Sequence, residues 1–495
     1  MKKIFADLHC HPTMHPFAFK EADKDRKNSL WSDNKPKKRQ RDSAYPEYFQ
    51  TSMPALARGN VKLVVAALYP LEQSWLDPEI IGEGDISDFI AKFFISHLPV
   101  RYINMVQSDS FNYFEFLQKE YEFLLQDHNK TYKVNGEDWK YVLAKDSMDI
   151  EQYESDENVI IVIPSIEGAH SLISANADQI IHNPEVHETT LSNIQKIKTS
   201  WNHVPLYVTM SHHFYNGMLG QARSIPDGAA SFLLHQQVGL NEPVNPRGEE
   251  VIDCLLGIGK YKGNGKRILI DTKHMSVSAR LWYYHKIAKY NEGIAASNRI
   301  PIIASHMGFG AHDTILDSIT LPDTDKKKYE ESKFFNPWSI NLSKEEIRII
   351  VESGGIIGLN LDQRILSGAE RIEKSKEFSN HDIKNNTKKV VQFWTKQIGE
   401  NIIEIAKAVV DSDISETEKA KVWNSICLGT DFDGMINPVD SFIVADEYKN
   451  LMDALLVYFT DNNDFKALAM GLSIETILEK IMYQNVYDFV IRNYK

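Results

Sequence analysis

Eight short apolar runs, spread over the whole chain, constrain the fold more than any other feature of this sequence. They are rich in valine and isoleucine and bounded by turn residues, which is typical of strands buried on both faces of a parallel sheet. They are Ile4–Leu8, Val61–Leu68, Val159–Ile163, Leu206–Met210, Ile268–Asp271, Pro301–Ala304, Ile356–Leu361 and Ser425–Leu428. Segments with helical periodicity separate most of them. This alternation predicts an α/β fold, a (β/α)8 TIM-type barrel, although a doubly wound open sheet would give a similar pattern.

The helix before the seventh run has the clearest end signals. Ser343 and Glu346 form a capping-box pattern, in which the two side chains satisfy backbone N–H groups at the helix start. Gly354 and Gly355 follow the last apolar residue of the helical period. We therefore expect a helix that begins after Ser343 and ends before Gly354.

The spacing of the runs predicts the domain organisation. Long segments separate the first run from the second and the second from the third, and we interpret them as insertions at approximately 12–58 and 71–157. Barrels of this kind accept insertions that carry them beyond about 400 residues. We therefore predict one barrel domain over residues 1–495, decorated by two insertions.

Composition excludes several classes of protein. Lys and Arg number 55 against 68 Asp and Glu, a net charge of −13, which opposes the phosphate-neutralising surface that nucleic-acid binding needs. The three cysteines, Cys10, Cys254 and Cys427, lie far apart and indicate no disulfide framework. The sequence contains neither a secretory apolar segment after Met1 nor an apolar stretch of about 20 residues. We expect a cytoplasmic protein without a membrane or nucleic-acid partner.

Polar residues follow the apolar runs repeatedly, at the barrel end where active sites of such folds lie. The first run leads into Asp7-Leu8-His9-Cys10-His11, and alternation in an extended chain places His9 and His11 on one side. Two imidazoles on one side are suited to binding one metal ion, although an isolated pair of this kind is more often structural.

Other strand ends carry further candidate ligands. Glu167 follows the third run, and its carboxylate would be costly to bury without a nearby cation. His274, His306 and Asp431 follow later runs, and each alone has an ordinary structural explanation. Imidazoles and carboxylates gathered at matching strand ends require positive charge between them, which a pair of divalent metals supplies.

These segments form an ordered series of motifs: DLHCH, SIEGAH, LYVTMSHH, LIDTKHMS, IIASHMG and LGTDFDG. In this order they resemble the membrane dipeptidase (renal dipeptidase, peptidase M19) family of the metal-dependent amidohydrolase superfamily. The segment GLNEPVNPRGEEVI also resembles the family sequence before the fifth strand. The resemblance covers Ile4 to about Asn485, and its most specific elements are EGAH and GTDFDG.

The resemblance implies a binuclear hydrolase in which a metal-bridging hydroxide cleaves an amide or peptide bond of a small substrate. It implies that His9 and His11 bind one metal, although the dipeptidases have aspartate at the position of His11. It implies that Glu167 bridges both metals and that His274 and His306 bind the other. Zinc is the expected metal, and manganese, iron or cobalt would suit the same ligands.

The resemblance also implies two catalytic residues. Asp431 matches the catalytic acid/base, and His212 matches an imidazole that steadies the tetrahedral intermediate. Physical chemistry agrees with these roles. Two cations about 3.5–4 Å apart acidify a shared water, whose proton Asp431 would pass to the leaving amine while His212 donates to the oxyanion.

Four neighbouring side chains have other interpretations. We interpret Asp433 as a turn or supporting residue, and His170 and His203 as structural. The role of His213 stays open.

Substrate recognition departs from the family pattern. In the dipeptidases an arginine binds the terminal carboxylate of the substrate, and a gap-free reading places Asp317 at that position. Arg364 would supply a cation from another direction or belong to a solvated loop, and Asn360 lies where an aromatic residue is expected. The substrate is therefore left open among dipeptides, amides and lactones, with no substrate-binding residue assigned.

Two alternatives come from other classes. The opening DLHCHPT also resembles the start of phosphoesterases of the polymerase and histidinol phosphatase family, but EGAH, GTDFDG and the lack of a basic cluster oppose that interpretation. A non-catalytic metal-binding barrel would be indicated by loss of Asp431 or of a ligand, and neither is lost. The sequence leaves the oligomeric state open, although homodimers are the commonest symmetric assembly and the family resemblance points the same way.

Overall fold

Parallel strands form the centre of the molecule. The computed structural model describes residues 3–36, 39, 48–76, 98–177, 185–224, 236–319 and 327–495. In chain order the strands are β1 (Phe5–Cys10), β2 (Val61–Leu68), β3 (Tyr132–Val134), β4 (Glu137–Leu143), β5 (Val159–Glu167), β6 (Tyr207–Thr209), β7 (Leu269–Asp271), β8 (Ile303–Met307), β9 (Ile356–Leu359) and β10 (Ile426–Leu428). All but β3 and β4 pair in parallel in the order β1-β2-β5-β6-β7-β8-β9-β10.

The last strand returns to the first and closes the barrel. The Asp431 N–H donates to the His9 carbonyl at 2.9 Å, and the His11 N–H donates to the Phe432 carbonyl at 2.9 Å. Cys10 and Phe432 form a parallel bridge between the two chain segments. The (β/α)8 prediction is therefore confirmed, and the open-sheet alternative is wrong.

All the apolar runs form strands, but several strands extend further than predicted. β1 reaches Cys10 and β5 reaches Glu167, so that His9 and Glu167 lie within strands and not after them. β8 begins at Ile303, because Pro301 has no N–H for the sheet and the Ile302 N–H donates to Ser353 Oγ at 3.0 Å. It continues through His306 to Met307. Three candidate ligands, His9, Glu167 and His306, therefore lie on strands of the barrel.

Helices surround the barrel and connect its strands. They are α1 (Met14–Ala22), α2 (Met53–Arg58), α3 (Val100–Val106), α4 (Tyr113–Leu125), α5 (Ser147–Glu154), α6 (Glu185–Ser200), α7 (Pro246–Leu256), α8 (Val277–Asn291), α9 (Lys344–Glu352), α10 (Gln363–Leu366), α11 (Ala369–Ser375), α12 (Asn380–Lys384), α13 (Lys388–Val410), α14 (Glu416–Lys419), α15 (Tyr448–Thr460), α16 (Asn463–Leu468), α17 (Ile474–Glu479) and α18 (Asn485–Asn493). The capping box of α9 is confirmed, since the Glu346 N–H donates to Ser343 Oγ and the Ser343 N–H donates to Glu346 Oε2. Within the described ranges, none of the helices has the length and apolar character needed to cross a bilayer.

Buried polar contacts join the two predicted insertions to each other and to the segment after β2. The segment 12–58 contributes α1 and α2, and the segment 71–157 contributes α3, α4, the β3–β4 hairpin and α5. Glu120 of α4 accepts hydrogen bonds from Thr13 Oγ1 at 2.6 Å and from the Tyr69 N–H at 2.8 Å. Residues 37–38, 40–47 and 77–97 of these segments lie outside the described residues. The division into one domain with two insertions stays a prediction.

Candidate metal centre

Glu167, the last residue of β5, lies at the centre of a cluster of histidines. In the described part of the chain, five imidazoles direct Nε2 at its carboxylate. The distances are 2.9 Å for His11, 3.4 Å for His9, 3.4 Å for His306, 3.7 Å for His212 and 3.7 Å for His274. The Asp431 carboxylate lies 3.5 Å from His11 Nε2 and 3.7 Å from His9 Nε2. The structure therefore brings together all seven residues that the sequence analysis selected as metal ligands or catalytic groups.

The carboxyl ends of the strands explain this convergence, because they meet at one end of the barrel. His212 follows β6, and His274 and Asp431 follow β7 and β10. His274 and Asp431 adopt positive φ values of 64° and 62°, which non-glycine residues rarely do. Such backbone strain is concentrated at functional sites, and here it turns both side chains toward Glu167.

A hydrogen-bond chain fixes the tautomer of His9. The Tyr207 hydroxyl donates to the Leu8 carbonyl at 2.8 Å, so its oxygen accepts from His9 Nδ1, which lies 2.9 Å away. The proton of a neutral His9 imidazole is therefore on Nδ1, and Nε2 presents a lone pair to the cluster.

The same arrangement occurs at His306. Ser305 Oγ donates to Asp271 Oδ2 at 2.6 Å and accepts from His306 Nδ1 at 2.8 Å. Nε2 of His306 is buried and has no hydrogen-bond partner among the described residues. An imidazole whose Nδ1 is held by a hydrogen bond and whose Nε2 has no partner is suited to metal ligation.

Glu72, which the sequence analysis did not select, orients His212. Its Oε2 lies 2.6 Å from His212 Nδ1, and the carboxylate also accepts from the backbone N–H groups of His213 and Phe214. The Tyr69 hydroxyl donates to the same carboxylate at 3.3 Å. Glu72 therefore holds the ring of His212 with Nε2 facing Glu167. Glu72 follows β2 within the second insertion, outside every motif, and only its place after a barrel strand marks it in the sequence.

Replacing Glu72 with glutamine should lower kcat by about tenfold, because an amide accepts from His212 Nδ1 less strongly than a carboxylate and holds the ring less firmly. Metal content should stay at the wild-type level. Steady-state kinetics and elemental analysis would measure both. Glu331→Gln, a change at an exposed glutamate paired with Lys327, is the matched control. An E72Q protein with wild-type kcat would show that His212 acts without Glu72.

Burial and charge set the protonation of the cluster. Burial lowers the pKa of His212 to about 4 and lowers the pKa values of His274 and His306 well below the usual range. Burial opposes ionisation of Glu167, but the surrounding imidazoles outweigh it and hold the pKa of this carboxyl well below its usual range. Burial also disfavours a charged His11, yet Glu167 and Asp431 raise its pKa to about 10. The site thus combines the Glu167 carboxylate with neutral His212, His274 and His306 and a protonated His11.

The donor atoms fit divalent metal ions. Two groups of residues could each hold a metal ion, because the ligand atoms within each group all lie within 4.8 Å of one another. The first group is His9, Glu167, His306 and Asp431, and the second is Glu167, His212 and His274. Nitrogen and carboxylate oxygen donors suit zinc and the neighbouring transition metals. Glu167 is the residue that the two groups share. His306 groups here with His9, whereas the family resemblance pairs it with His274.

Asp431 is the most accessible member of the cluster. Its side chain is 13% exposed, whereas those of Glu167 and His11 are 3% and 1% exposed. Gly434 allows the loop to close over it, because a Cβ at this position would lie 2.1 Å from Asp431 Oδ1. Burial raises the pKa of Asp431. Exposure and a raised pKa both suit a group that exchanges protons with a substrate.

Asp433 supports the loop. Its carboxylate accepts from the Gln50 N–H at 2.9 Å, the Thr51 N–H at 2.8 Å and Thr51 Oγ1 at 2.7 Å. These bonds join the first insertion to the loop after β10, in agreement with the interpretation of Asp433 as a supporting residue.

Replacing Asp433 with alanine should therefore lower the free energy of unfolding by about 2–4 kcal/mol, because three buried donors lose a charged acceptor. Urea denaturation would measure the change. Asp413→Ala, at an exposed aspartate, is the control. Equal stability of D433A and wild type would contradict the supporting role.

The remaining histidines make other contacts. His170 Nε2 lies 2.9 Å from the Pro70 carbonyl, and His203 Nδ1 lies 3.1 Å from the Tyr121 hydroxyl. Both agree with a structural interpretation. His213 Nδ1 lies 2.6 Å from Ser224 Oγ, and its ring contacts the edge of Trp75.

Three further charged residues, Arg364, Asp317 and Lys273, differ in their surroundings. Arg364 is held by Asp362, with Nε 3.0 Å and Nη2 2.5 Å from the carboxylate. Asp317 is exposed in the loop after β8 and accepts from the Thr314 N–H. Lys273, which the sequence analysis did not select, is buried beside His274. Burial lowers its pKa to about 8, against the opposing effect of nearby carboxylates.

No protein-family model and no curated protein matches this chain. Solved structures do match it. A metallopeptidase from Rhodobacter sphaeroides, liganded with a phosphinate mimic of the dipeptide L-Ala-D-Ala, has a TM-score of 0.51 at 13% identity and covers 100% of both chains. A dipeptidase described as an M19 metallopeptidase has a TM-score of 0.48 at 12% identity, covering 100% of this chain and 99% of its own. The probable dipeptidase PvdM from Pseudomonas aeruginosa has a TM-score of 0.46 at 13% identity, covering 97% of this chain and 99% of its own.

At 13% identity the likeness to the Rhodobacter sphaeroides structure shows the fold alone. The chain thus shares its fold with the Rhodobacter sphaeroides protein, in agreement with the fold that the ordered motifs imply.

Proposed function

We propose that this chain is a metal-dependent hydrolase that binds two divalent metal ions and cleaves an amide or peptide bond of a small substrate. The convergence of five imidazole Nε2 atoms on Glu167 carries the proposal. The dipeptide mimic bound to the Rhodobacter sphaeroides metallopeptidase supports the choice of bond.

We assign the ligands as the motifs imply. His9 and His11 would hold one ion, His274 and His306 the other, and Glu167 both. When bound, a pair of divalent ions would activate water near neutral pH and polarise the scissile carbonyl. Zinc is the expected metal because it favours imidazole and carboxylate donors.

The residues of the chain supply the proton transfers. Asp431, at the accessible side of the cluster, would accept a proton from the attacking water and give it to the leaving amine. His212, backed by Glu72 at 2.6 Å, would donate to the oxyanion that develops on the scissile carbonyl.

Other properties follow from the sequence. The net charge of −13 supports a small-molecule substrate over nucleic acid. A cytoplasmic location stays a prediction, and the oligomeric state stays open.

A substrate panel tests the proposal. Protein loaded with zinc or manganese would be assayed against dipeptides, N-acyl amino acids, simple amides, lactones and phosphate esters. We expect hydrolysis of amide or peptide bonds that a chelator abolishes, with D431N as the control for contaminating activity. Turnover of phosphate esters alone would overturn the proposal in favour of a phosphoesterase.

A further inference from the structure

Asn360 is the first residue after β9 and lies between the ends of β8 and β10. Its N–H donates to the Met307 carbonyl at 3.1 Å, and the N–H of the next residue, Leu361, donates to the Thr430 carbonyl at 3.3 Å. Its side chain is fully buried. A buried amide needs partners for both its oxygen and its nitrogen, so the partners of this side chain define its role.

These partners fix the orientation of the amide. The Asp362 N–H lies 2.5 Å from one end of it, and because a backbone N–H only donates, that end is Oδ1. Nδ2 therefore faces two acceptors, Asp431 Oδ2 at 3.4 Å and the His306 carbonyl oxygen at 3.5 Å. Nδ2 carries two protons, one for each acceptor. The amide thus links the strand that carries His306 to the carboxylate that follows β10.

The main chain around Asp431 is held independently of Asn360. The Asp431 N–H donates to the His9 carbonyl at 2.9 Å. The preceding residue, Thr430, donates to the buried Asp7 carboxylate through its N–H at 3.0 Å and its Oγ1 at 2.6 Å. These bonds fix the backbone but leave the rotation of the Asp431 side chain open. A contact with the carboxylate itself is needed to select one rotamer.

The two carboxylate oxygens of Asp431 have different neighbours. Oδ1 lies 3.5 Å from His11 Nε2 and 3.7 Å from His9 Nε2, whereas Oδ2 lies beside Asn360 and 3.9 Å from His306 Nε2. Among the described residues, Asn360 is the only donor other than an imidazole within hydrogen-bond distance of this carboxylate. A donor at Oδ2 keeps Oδ1 turned toward His9 and His11. Proton transfer depends on such an orientation, because it requires the acid/base to lie within hydrogen-bond reach of the reacting groups.

We propose that Asn360 is a positioning residue for Asp431, whose carboxylate its amide holds in the orientation used for proton transfer. This inference rests on the proposed function, in which Asp431 is the general acid/base. Removal of the amide should lower kcat and leave KM and metal content near the wild-type values, because no proposed metal ligand is replaced.

A double-mutant cycle tests whether Asn360 acts through Asp431. Zinc-loaded wild type, Asn360→Ala, D431N and the double variant would be compared on the best substrate of the panel. Asn360→Ala should lower kcat by about tenfold and change KM by less than about twofold. In the D431N background the same change should alter kcat by less than about twofold, because no carboxylate is left to position.

Two further variants separate positioning from a local structural role. Asn360→Asp keeps the size of the side chain and the acceptor for the Asp362 N–H but removes the donor to Asp431, so it should also lower kcat by about tenfold. Asn336→Ala is the matched control. Asn336 is equally buried and accepts from the N–H two residues on, that of Trp338, but its Nδ2 donates to the Arg364 carbonyl at 2.7 Å. Its kcat should stay within about twofold of wild type.

The outcomes separate this inference from the proposed function. Thermal unfolding and metal content of each variant would show that the site is assembled, and Asn360→Asp decides the test if the alanine variant does not fold. Wild-type kcat in a folded Asn360 variant, loss of its metal, or an equal loss of kcat with and without the Asp431 carboxylate would overturn the role of Asn360 alone. Absence of metal-dependent hydrolysis by wild type would overturn the proposed function and this inference with it.

Discussion

Replacing Asp431 with asparagine should lower kcat by about a thousandfold while metal content stays at the wild-type level. The loss is expected because an amide does not accept and return a proton, and positioned general acids and bases contribute about 10²–10⁴-fold. Asparagine keeps the shape of the side chain and the hydrogen bond from the Asp431 N–H to the His9 carbonyl. Steady-state kinetics on metal-loaded protein would measure the effect.

The exposed residue Asp413 provides the control, since Asp413→Asn makes the same chemical change far from any motif. A fully active D431N protein would contradict the assigned role. A D431N protein that loses its metal would instead identify Asp431 mainly as a ligand, in line with its grouping with His9, Glu167 and His306.

Replacing Glu167 with glutamine should remove most of the bound metal, from about two ions per chain to less than one after dialysis. The carboxylate is the group that both sets of ligand atoms share, so its charge contributes to the affinity of both positions. Without it, neutral imidazoles hold the cations with no bridging anion. Plasma mass spectrometry would measure the metal, and circular dichroism would confirm that the protein is folded.

Glu120→Gln is a matched control for this variant. Glu120 is also a buried glutamate, but it accepts from Thr13 and Tyr69 and lies outside the ligand groups. Its variant should keep the wild-type metal content. A Glu167→Gln protein that still holds two ions would contradict a bridging carboxylate.

Most of the barrel was predictable because its strands are continuous apolar runs. Val61–Leu68 is buried along its whole length, and its bounds match the prediction. The ends were less predictable, since β1 continues through His9 to Cys10 although polar residues interrupt its apolar run. There, hydrogen bonds to the neighbouring strand segments extend the strand beyond the apolar pattern.

The ligand cluster was predictable because its members follow strands in family-like motifs. Glu72 was not, because it reaches His212 from an insertion over 140 residues of sequence separation. Lys273 was not selected either, since a lysine beside a histidine reads as a solvated side chain until its burial is known. Contacts of this kind depend on tertiary packing, which no local pattern encodes.

Buried carboxylates outside the two ligand groups also organise the site. Asp7 accepts from the Thr430 N–H at 3.0 Å and from Thr430 Oγ1 at 2.6 Å, which holds the end of β10 against β1. Asp271 accepts from Thr209 and Ser305 on the strands at either side of β7. These bonds join neighbouring strands at residues close in sequence to His9, His274 and His306, and so restrict the positions of these histidines.

The central claim, a two-metal centre built on Glu167, is tested most directly by metal stoichiometry. Protein purified without chelator or affinity-tag metal would be analysed by plasma mass spectrometry. We predict about two divalent ions per chain. A value near zero that stays near zero after incubation with zinc or manganese would contradict the account and favour a barrel that keeps the ligand residues without binding metal.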